Sequence, residues 1–361
     1  MKISPTVRTW AEVDHAAIIH NLAVVRKLVG SHPGIFAIIK ANAYGHGARA
    51  VANALADRVE GFGVANLDEA RELGPTSRDI LLLSPVLPGE RREVVAENLI
   101  ATVSSAAEAA GFSGGRVSLK VDTGMGRIGC WQGDALAEVK ALLRLGTVRL
   151  HSVATHLPVP DEDCDYTRAQ LQGFADLRAA MQSAIPAETK FHSLNSAGIL
   201  GFSESAHDLV RPGLMLYGAS PMVEHQSLLR PALTWKARVL LLRELPAGRT
   251  VSYGRTFTTT RPTRTAILPV GYADGFPRQV SGRGAEVLLG GKRCPLLGRV
   301  TMDQIVIDVS AVPGIQLGDE AVLIGRQSEE EILAGELASW AGTIAWHIFT
   351  GLGNRVKILN I

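Results

Sequence analysis

Apolar positions along the chain fall into two textures. In the first part, short apolar runs recur without alternation, over residues 36–39, 61–65, 80–83, 100–103, 117–121, 150–154, 190–194 and 209–216. Runs of that length with no polar beat read as strands buried on both faces. Between several of them the spacing turns helical, over 91–98, 105–111, 134–145 and 166–184. Another helix precedes the first run. Asp14 is placed to cap it, Ile18, Ile19, Leu22, Val25 and Leu28 give it one apolar face, and Gly30 ends it. Eight buried strands linked mostly through helices predict an α/β fold, a (β/α)8 TIM barrel of about 220 residues.

From about residue 233 the helical spacing fades. Runs rich in β-formers stand between turn signals at 233–242, 250–258, 265–270, 286–289, 304–309, 321–324 and 356–359. Ala247-Gly248 and Gly290-Gly291 are turn candidates, and one helix is expected over 329–340. The expected organisation is a barrel domain over 1–232 followed by a mainly-β C-terminal domain over 233–361.

The predicted strand ends carry Lys40, Asn66, Ser84, Asp122, His156, Asn195, Ser196 and Arg211. In a barrel these ends meet on one rim, where active sites are built. A lysine is seldom buried without a partner or a task. Desolvation lowers its pKa, which suits Lys40 to Schiff-base chemistry; the same placement also suits a lysine whose amine snorkels into water. Asn195-Ser196-Ala197-Gly198 offers a hydroxyl and N–H groups at a helix start, and Gly213, two residues after Arg211, permits close backbone approach. Barrels often bind phosphate after the seventh and eighth strands, so these two segments read as an anion cradle or as ordinary turns. The run from Lys120 to Gly129 sets Arg127 in a glycine-punctuated loop, able to face an anionic ligand.

Composition narrows the classes. The 361 residues carry a net charge of +2 with no basic or acidic block, and aromatics make up 5%. Neither nucleic acid nor an anionic membrane is asked for. Cys130, Cys164 and Cys294 stand alone, without metal or redox spacing, as suits packing residues in a reducing cytoplasm. The N-terminus has no apolar signal core, and no apolar run approaches the ~18 residues of a membrane span. A soluble cytoplasmic protein is expected.

The run Phe36-Ala37-Ile38-Ile39-Lys40-Ala41-Asn42-Ala43-Tyr44-Gly45-His46-Gly47 resembles the pyridoxal phosphate attachment site of alanine racemases. The resemblance runs nearly end to end, from Arg8-Thr9-Trp10 to Asn354-Arg355-Val356, through Val251-Ser252-Tyr253-Gly254-Arg255, Gly271-Tyr272-Ala273-Asp274-Gly275 and Gly298-Arg299-Val300-Thr301-Met302-Asp303-Gln304. It implies that Lys40 holds the cofactor and serves as one catalytic base, with Tyr253 as the other. Racemisation removes a proton from one face of Cα and returns one to the opposite face, so two opposed groups are the natural design. It implies phosphate contacts from Tyr44, Ser196, Gly213 and Leu214, with Asn195 beside them. It places Arg211 at the ring nitrogen, His156 against the ring, and His192 nearby. Arg127 matches a residue that meets both cofactor and substrate carboxylate, and Lys120 one that is often carbamylated. Tyr272, Met302 and Asp303 match the substrate side.

The resemblance further implies a head-to-tail homodimer with shared active sites, alanine as substrate, and supply of D-alanine for peptidoglycan or a catabolic role. There are departures. Trp346-His347 replaces a usual tyrosine-glutamate pair, leaving Trp346 as an N–H donor near the phosphate. Leu157-Pro158-Val159-Pro160 stiffens the loop beside the ring, which keeps a serine or broad-specificity racemase open as an alternative. A non-catalytic pyridoxal phosphate carrier would share the barrel but lack the β domain with its tyrosine.

Overall fold

The structure, a computed structural model, describes residues 4–361. Met1-Lys2-Ile3, on which part of the leader reading rests, lie outside the described residues. Two compact units emerge. One comprises residues 18–43 and 48–230; the other takes residues 44–47 and 231–361 together with the N-terminal segment up to Ala17.

In the first unit the eight predicted strands all form, and all pair in parallel. Their order around the ring is Leu209–Val210, Gly34–Ile38, Gly61–Val64, Asp79–Pro85, Ile100–Val103, Arg116–Asp122, Arg149–Ala154 and Lys190–His192. The ring is nearly closed. Across the remaining gap Asp208 donates its N–H to the carbonyl of Phe191 at 3.0 Å, and Arg211 to that of Leu194 at 2.9 Å. All five residues of Gly34–Ile38 are buried, as a barrel strand requires. Large and small side chains alternate across it. A Cβ on Gly61 would lie 2.5 Å from the Phe36 ring, and one on Gly63 2.4 Å from Ile38 Cδ1, so the glycines leave the space those side chains fill.

Helices Arg91–Ala96, Ala106–Ala109, Ala135–Leu145 and Cys164–Met181 occupy the expected segments. The expected strand over 209–216 is cut short. Its ladder ends at Val210, and after Pro212, which has no N–H to give, the chain turns into a single 3-10 turn, Leu214–Tyr217.

The segment after Gly34–Ile38 is not an irregular connection. It is a left-handed helical turn: Ala41, Asn42, Ala43 and Tyr44 all have φ between +51° and +54°. That conformation costs roughly 1–2 kcal/mol for each L-residue, so neighbours must hold it. Ala43 N–H reaches Ile39 O at 2.8 Å. Glu69 accepts from Ala41 N–H at 2.8 Å and from Ala65 N–H at 2.7 Å. Asn42 Oδ1 accepts from Ala48 N–H at 2.8 Å and so begins helix Ala48–Leu55.

The second unit is mainly β. Its larger sheet runs Lys292–Pro295, Glu286–Leu289, Glu320–Gln327, Leu233–Arg238, Thr9–Val13, Lys357–Asn360. The N-terminal strand Thr9–Val13 therefore belongs to this sheet, antiparallel to Leu233–Arg238 and parallel to Lys357–Asn360. Trp10 and Trp235 fill the core, and Trp235 Nε1 donates to Thr9 Oγ1 at 3.0 Å. A second sheet joins Leu241–Leu245, Thr263–Leu268 and Ile305–Asp308. The expected run 233–242 is thus two strands. The expected helix 329–340 begins late: Glu330–Ile332 pairs with Glu320–Gln327, and the helix is Ala334–Ala341. Among the described residues, no helix is long and apolar enough to cross a membrane.

Candidate active site

The rim of the barrel unit gathers four basic side chains. Lys40 follows the strand Gly34–Ile38, Lys120 lies near the end of Arg116–Asp122, Arg127 sits on the loop beyond it, and Arg211 follows Leu209–Val210. Burial lowers the pKa of Lys40, with the Arg127 cation adding to the effect and Glu69 opposing it. Lys120 is driven much further down, first by burial and then by Arg211 and Arg127; its amine donates to Thr155 O at 3.2 Å.

Arg211 is 4% exposed. It donates to His192 Nδ1, to Thr155 O at 2.6 Å and to Ser193 O at 2.9 Å. All three partners are neutral. Burial brings its pKa down to about 10, so it remains a cation at neutral pH. His156 and His192 have pKa values well below the ordinary histidine range, chiefly through burial and then through the surrounding cations, and stay neutral.

The rim carboxylate Asp122 offsets these cations only in part: it opposes the depression of Lys120, but more weakly than burial, Arg211 and Arg127 drive it. Its oxygens accept from the backbone N–H groups of Gly124, Met125, Gly126 and Arg127 at 2.8–3.1 Å. Burial pushes its pKa up, but these four bonds prevail and hold it below the usual carboxylate value. Asp122 thereby shapes the loop that carries Arg127.

The two segments read as a cradle or as turns meet at one hydroxyl. Ser196 Oγ accepts from Gly213 N–H at 2.9 Å and from Met215 N–H at 3.3 Å. Asn195 caps helix Ser196–Gly201 by accepting from Gly198 N–H at 2.9 Å, and its amide donates to Leu157 O at 3.1 Å. Asn195 therefore fixes this segment with both ends of its amide. Leu214 opens the 3-10 turn after Gly213. Asn66 caps helix Leu67–Leu73, accepting from Glu69 N–H at 3.0 Å, and Ser84 lies at a bulge beyond Leu82; neither joins the basic group.

The second unit holds the other expected residues. Tyr44 is buried, and burial pushes its phenol up to about 12, so it stays a donor. Gly45 beside it has φ +80°, and a Cβ there would lie 2.4 Å from Phe349 O. Tyr253 is 73% exposed, on the turn Tyr253–Arg255. That turn is tightly folded, with φ of +63° at Ser252, +71° at Gly254 and +50° at Arg255. Ser252 Oγ donates to Arg299 O at 2.6 Å, and a Cβ on Gly254 would lie 2.8 Å from the Arg299 guanidinium carbon.

Tyr272 and Met302 are about half exposed and face each other across backbone bonds, Tyr272 N–H to Thr301 O and Ala273 N–H to Met302 O, both 3.1 Å. Asp303 accepts from Arg355 at 2.8 Å, and Arg355 also binds the buried Asp274. Trp346 lies half-buried on helix Ala345–Thr350.

Sequence reasoning missed Glu69, Thr155, Ser193 and Ser152. Glu69 offered one faint signal, an acid three residues after a capping Asn66.

This chain is similar to known proteins over nearly its full length. The alanine racemase N-terminal domain family matches residues 13–221, and the C-terminal domain family matches residues 232–359. The alanine racemase of Symbiobacterium thermophilum is 42% identical, covering 96% of each chain. The crystal structure of alanine racemase from Streptomyces lavendulae superposes with a TM-score of 0.91 at 36% identity, covering 98% of this chain and 97% of that one. The alanine racemase from Bacillus anthracis with bound L-Ala-P superposes with a TM-score of 0.88 at 34% identity, covering 98% and 95%. With both of its domains matched in order and its barrel intact, the chain belongs to the alanine racemase family.

Proposed function

We propose that the chain interconverts L-alanine and D-alanine with pyridoxal phosphate held at the barrel rim, by a two-base mechanism. The observation that carries the reading is the positive rim, which Glu69 and Asp122 compensate only in part. Lys40, Lys120, Arg127 and Arg211 converge there, while Asp122 is spent on backbone N–H groups. Such a rim suits a ligand with a phosphate and a substrate with a carboxylate.

The residues fit the cofactor. Ser196, Gly213, Leu214 and Tyr44 would hold its phosphate, Lys40 its aldehyde carbon, Arg211 its ring nitrogen and His156 its ring face. Trp346 would offer an indole N–H where a phenol is usual. When bound, pyridoxal phosphate withdraws electrons from the substrate Cα and makes its proton removable. Arg211 does not readily release a proton and would leave the nitrogen of a ring held there unprotonated. Lys40, its pKa lowered by burial, takes or returns the proton on one face. The partner subunit's Tyr253 serves the opposite face in a head-to-tail homodimer, with Tyr272, Met302 and Asp303 closing the substrate side. The exposure of Tyr253 supports a role completed by a second copy.

Arg127 meets the substrate carboxylate. A carbamate on Lys120 would convert a buried amine between two arginines into an anion and remove the like-charge conflict; an intact mass of the native protein tests this. The expected boundary near residue 232 then separates most of the cofactor residues from the second base, although the strand Thr9–Val13 and residues 44–47 go with the β unit rather than with the barrel. The isolated cysteines, all free in the fold, agree with a cytoplasmic setting, and peptidoglycan supply is the role we assign.

The test is α-proton exchange in deuterated water, on L-alanine and L-serine separately, with chiral analysis of products. Wild type makes D-alanine, and Tyr253→Phe exchanges from one face only. Absence of exchange on either amino acid, with cofactor trapped on Lys40, overturns the reading. Faster exchange on serine than on alanine would shift the substrate.

A further inference from the structure

Arg211 is held from behind by a line of hydrogen bonds that crosses the barrel. It donates to His192 Nδ1. His192 Nε2 lies 3.2 Å from Ser152 Oγ, and that hydroxyl donates to Ser118 Oγ at 2.8 Å. His151 Nδ1 also meets Ser152 Oγ, at 3.1 Å. His151 Nε2 faces Asp79 at 3.7 Å, and Arg116 donates to the same carboxylate at 2.6 Å. Asp79 and Arg116 open the strands Asp79–Pro85 and Arg116–Asp122, at the end of the barrel opposite the rim.

The direction of each bond follows from the groups themselves. Arginine has no acceptor, so His192 Nδ1 must present a lone pair. Neutral His192 then carries its proton on Nε2 and donates it to Ser152. Ser152 has one hydroxyl proton, and it goes to Ser118. Its oxygen is left to accept from both His192 and His151. Ser152, Ser118 and His192 are each at most 2% exposed, so water cannot substitute for a lost partner.

We propose that Ser152 and Ser118 are positioning residues for Arg211: they lock His192 as the Nε2–H tautomer and keep its Nδ1 lone pair aimed at the guanidinium. The significance of Arg211 for the cofactor rests on the function proposed above; the tautomer does not. Without Ser118, the Ser152 proton is free to turn to His192 Nε2. That favours a proton on Nδ1, which confronts Arg211 donor to donor. Without Ser152, the Nε2–H has no buried acceptor, and the single tautomer loses its advantage.

The test is a long-range 1H–15N spectrum of the full-length protein labelled on histidine, as purified and after cofactor removal, for wild type, Ser152→Ala and Ser118→Ala. Wild type shows His192 as one tautomer, protonated on Nε2. Each variant shows two tautomers, and the dissociation constant for added pyridoxal phosphate rises about tenfold, the order expected for one buried hydrogen bond. A wild-type proton on Nδ1 overturns the inference, as does a single Nε2–H tautomer in both variants. Retention of wild-type cofactor affinity in both variants, despite mixed tautomers, overturns the positioning role. If wild type carries no borohydride-trapped cofactor on Lys40, the functional reading fails, and the tautomer spectra alone decide this inference.

Discussion

Glu69 Oε1 accepts a hydrogen bond from the backbone N–H of Ala41 at 2.8 Å, on the residue next to Lys40. Its other oxygen accepts from Ala65 at 2.7 Å. One carboxylate thus ties the left-handed turn after the first barrel strand to the end of the second, and the direction in which Lys40 leaves its strand depends on that tie. Glutamine offers one acceptor where two are used. Glu69→Gln should lower stability by about 1–2 kcal/mol and slow covalent trapping of cofactor on Lys40. Chemical denaturation and borohydride trapping check both effects.

The hydroxyl of Ser196 is the point on which Gly213 and Met215 N–H converge. Ser196→Ala removes it and leaves two buried donors facing each other's space. The cofactor dissociation constant should rise about tenfold or more, since bonds to a charged phosphate contribute roughly 1.5–3 kcal/mol. Equilibrium titration after cofactor removal measures this, and a change smaller than twofold would count against the cradle.

The proposed sharing of sites between two subunits has a counting consequence. Lys40→Ala and Tyr253→Phe each abolish every site in their own homodimers. Mixed and reassociated in equal amounts, half the dimers combine one of each, and each such dimer keeps one intact site. About a quarter of wild-type activity should return. No recovery, with subunit exchange verified by mass, would argue that Tyr253 acts within its own chain.

Acid stability follows from His192. Burial, then Arg211 and Lys120, hold its folded pKa well below the ordinary ~6.5. Below about pH 6.5 the unfolded chain takes up a proton that the folded chain refuses. The unfolded state then binds more protons, so stability falls as pH falls, by up to ~1.4 kcal/mol per pH unit for this one residue. His156 adds in the same direction. Above pH 6.5 neither contributes to the slope. Urea midpoints between pH 7.5 and 5 should show the decline, and His192→Gln should flatten it.

Gly254 tests the turn that presents Tyr253. Its φ is +71°, and a Cβ would press on the Arg299 guanidinium. Gly254→Ala should tilt the turn and reduce kcat at least tenfold while the pyridoxal phosphate affinity stays within twofold, because the turn carries none of the residues proposed to hold the cofactor. Steady-state kinetics beside cofactor titration separate the two.

By itself the sequence determined the eight barrel strands, the change of texture near residue 233, Lys40 at a strand end, and the Ser196 and Gly213 segments. These are local properties: apolar runs, turn residues and caps act over a few neighbours, and periodicity reads them directly. The family resemblance added roles for single positions. Only the tertiary structure decided how those positions are held. It set four non-glycine residues in a left-handed turn, stapled by Glu69 from 28 residues away. It spent Asp122 on its own loop and tied Asp303 to Arg355, two acids whose charge the sequence left unassigned. It showed that 329–340 begins as a strand, because Glu320–Gln327 is there to pair with it. And it set Ser152 and Ser118 opposite each other on neighbouring strands behind His192, which no spacing could show, since the register of the strand pair decides it. A hydrogen bond's partner is a matter of space, and folding supplies the space.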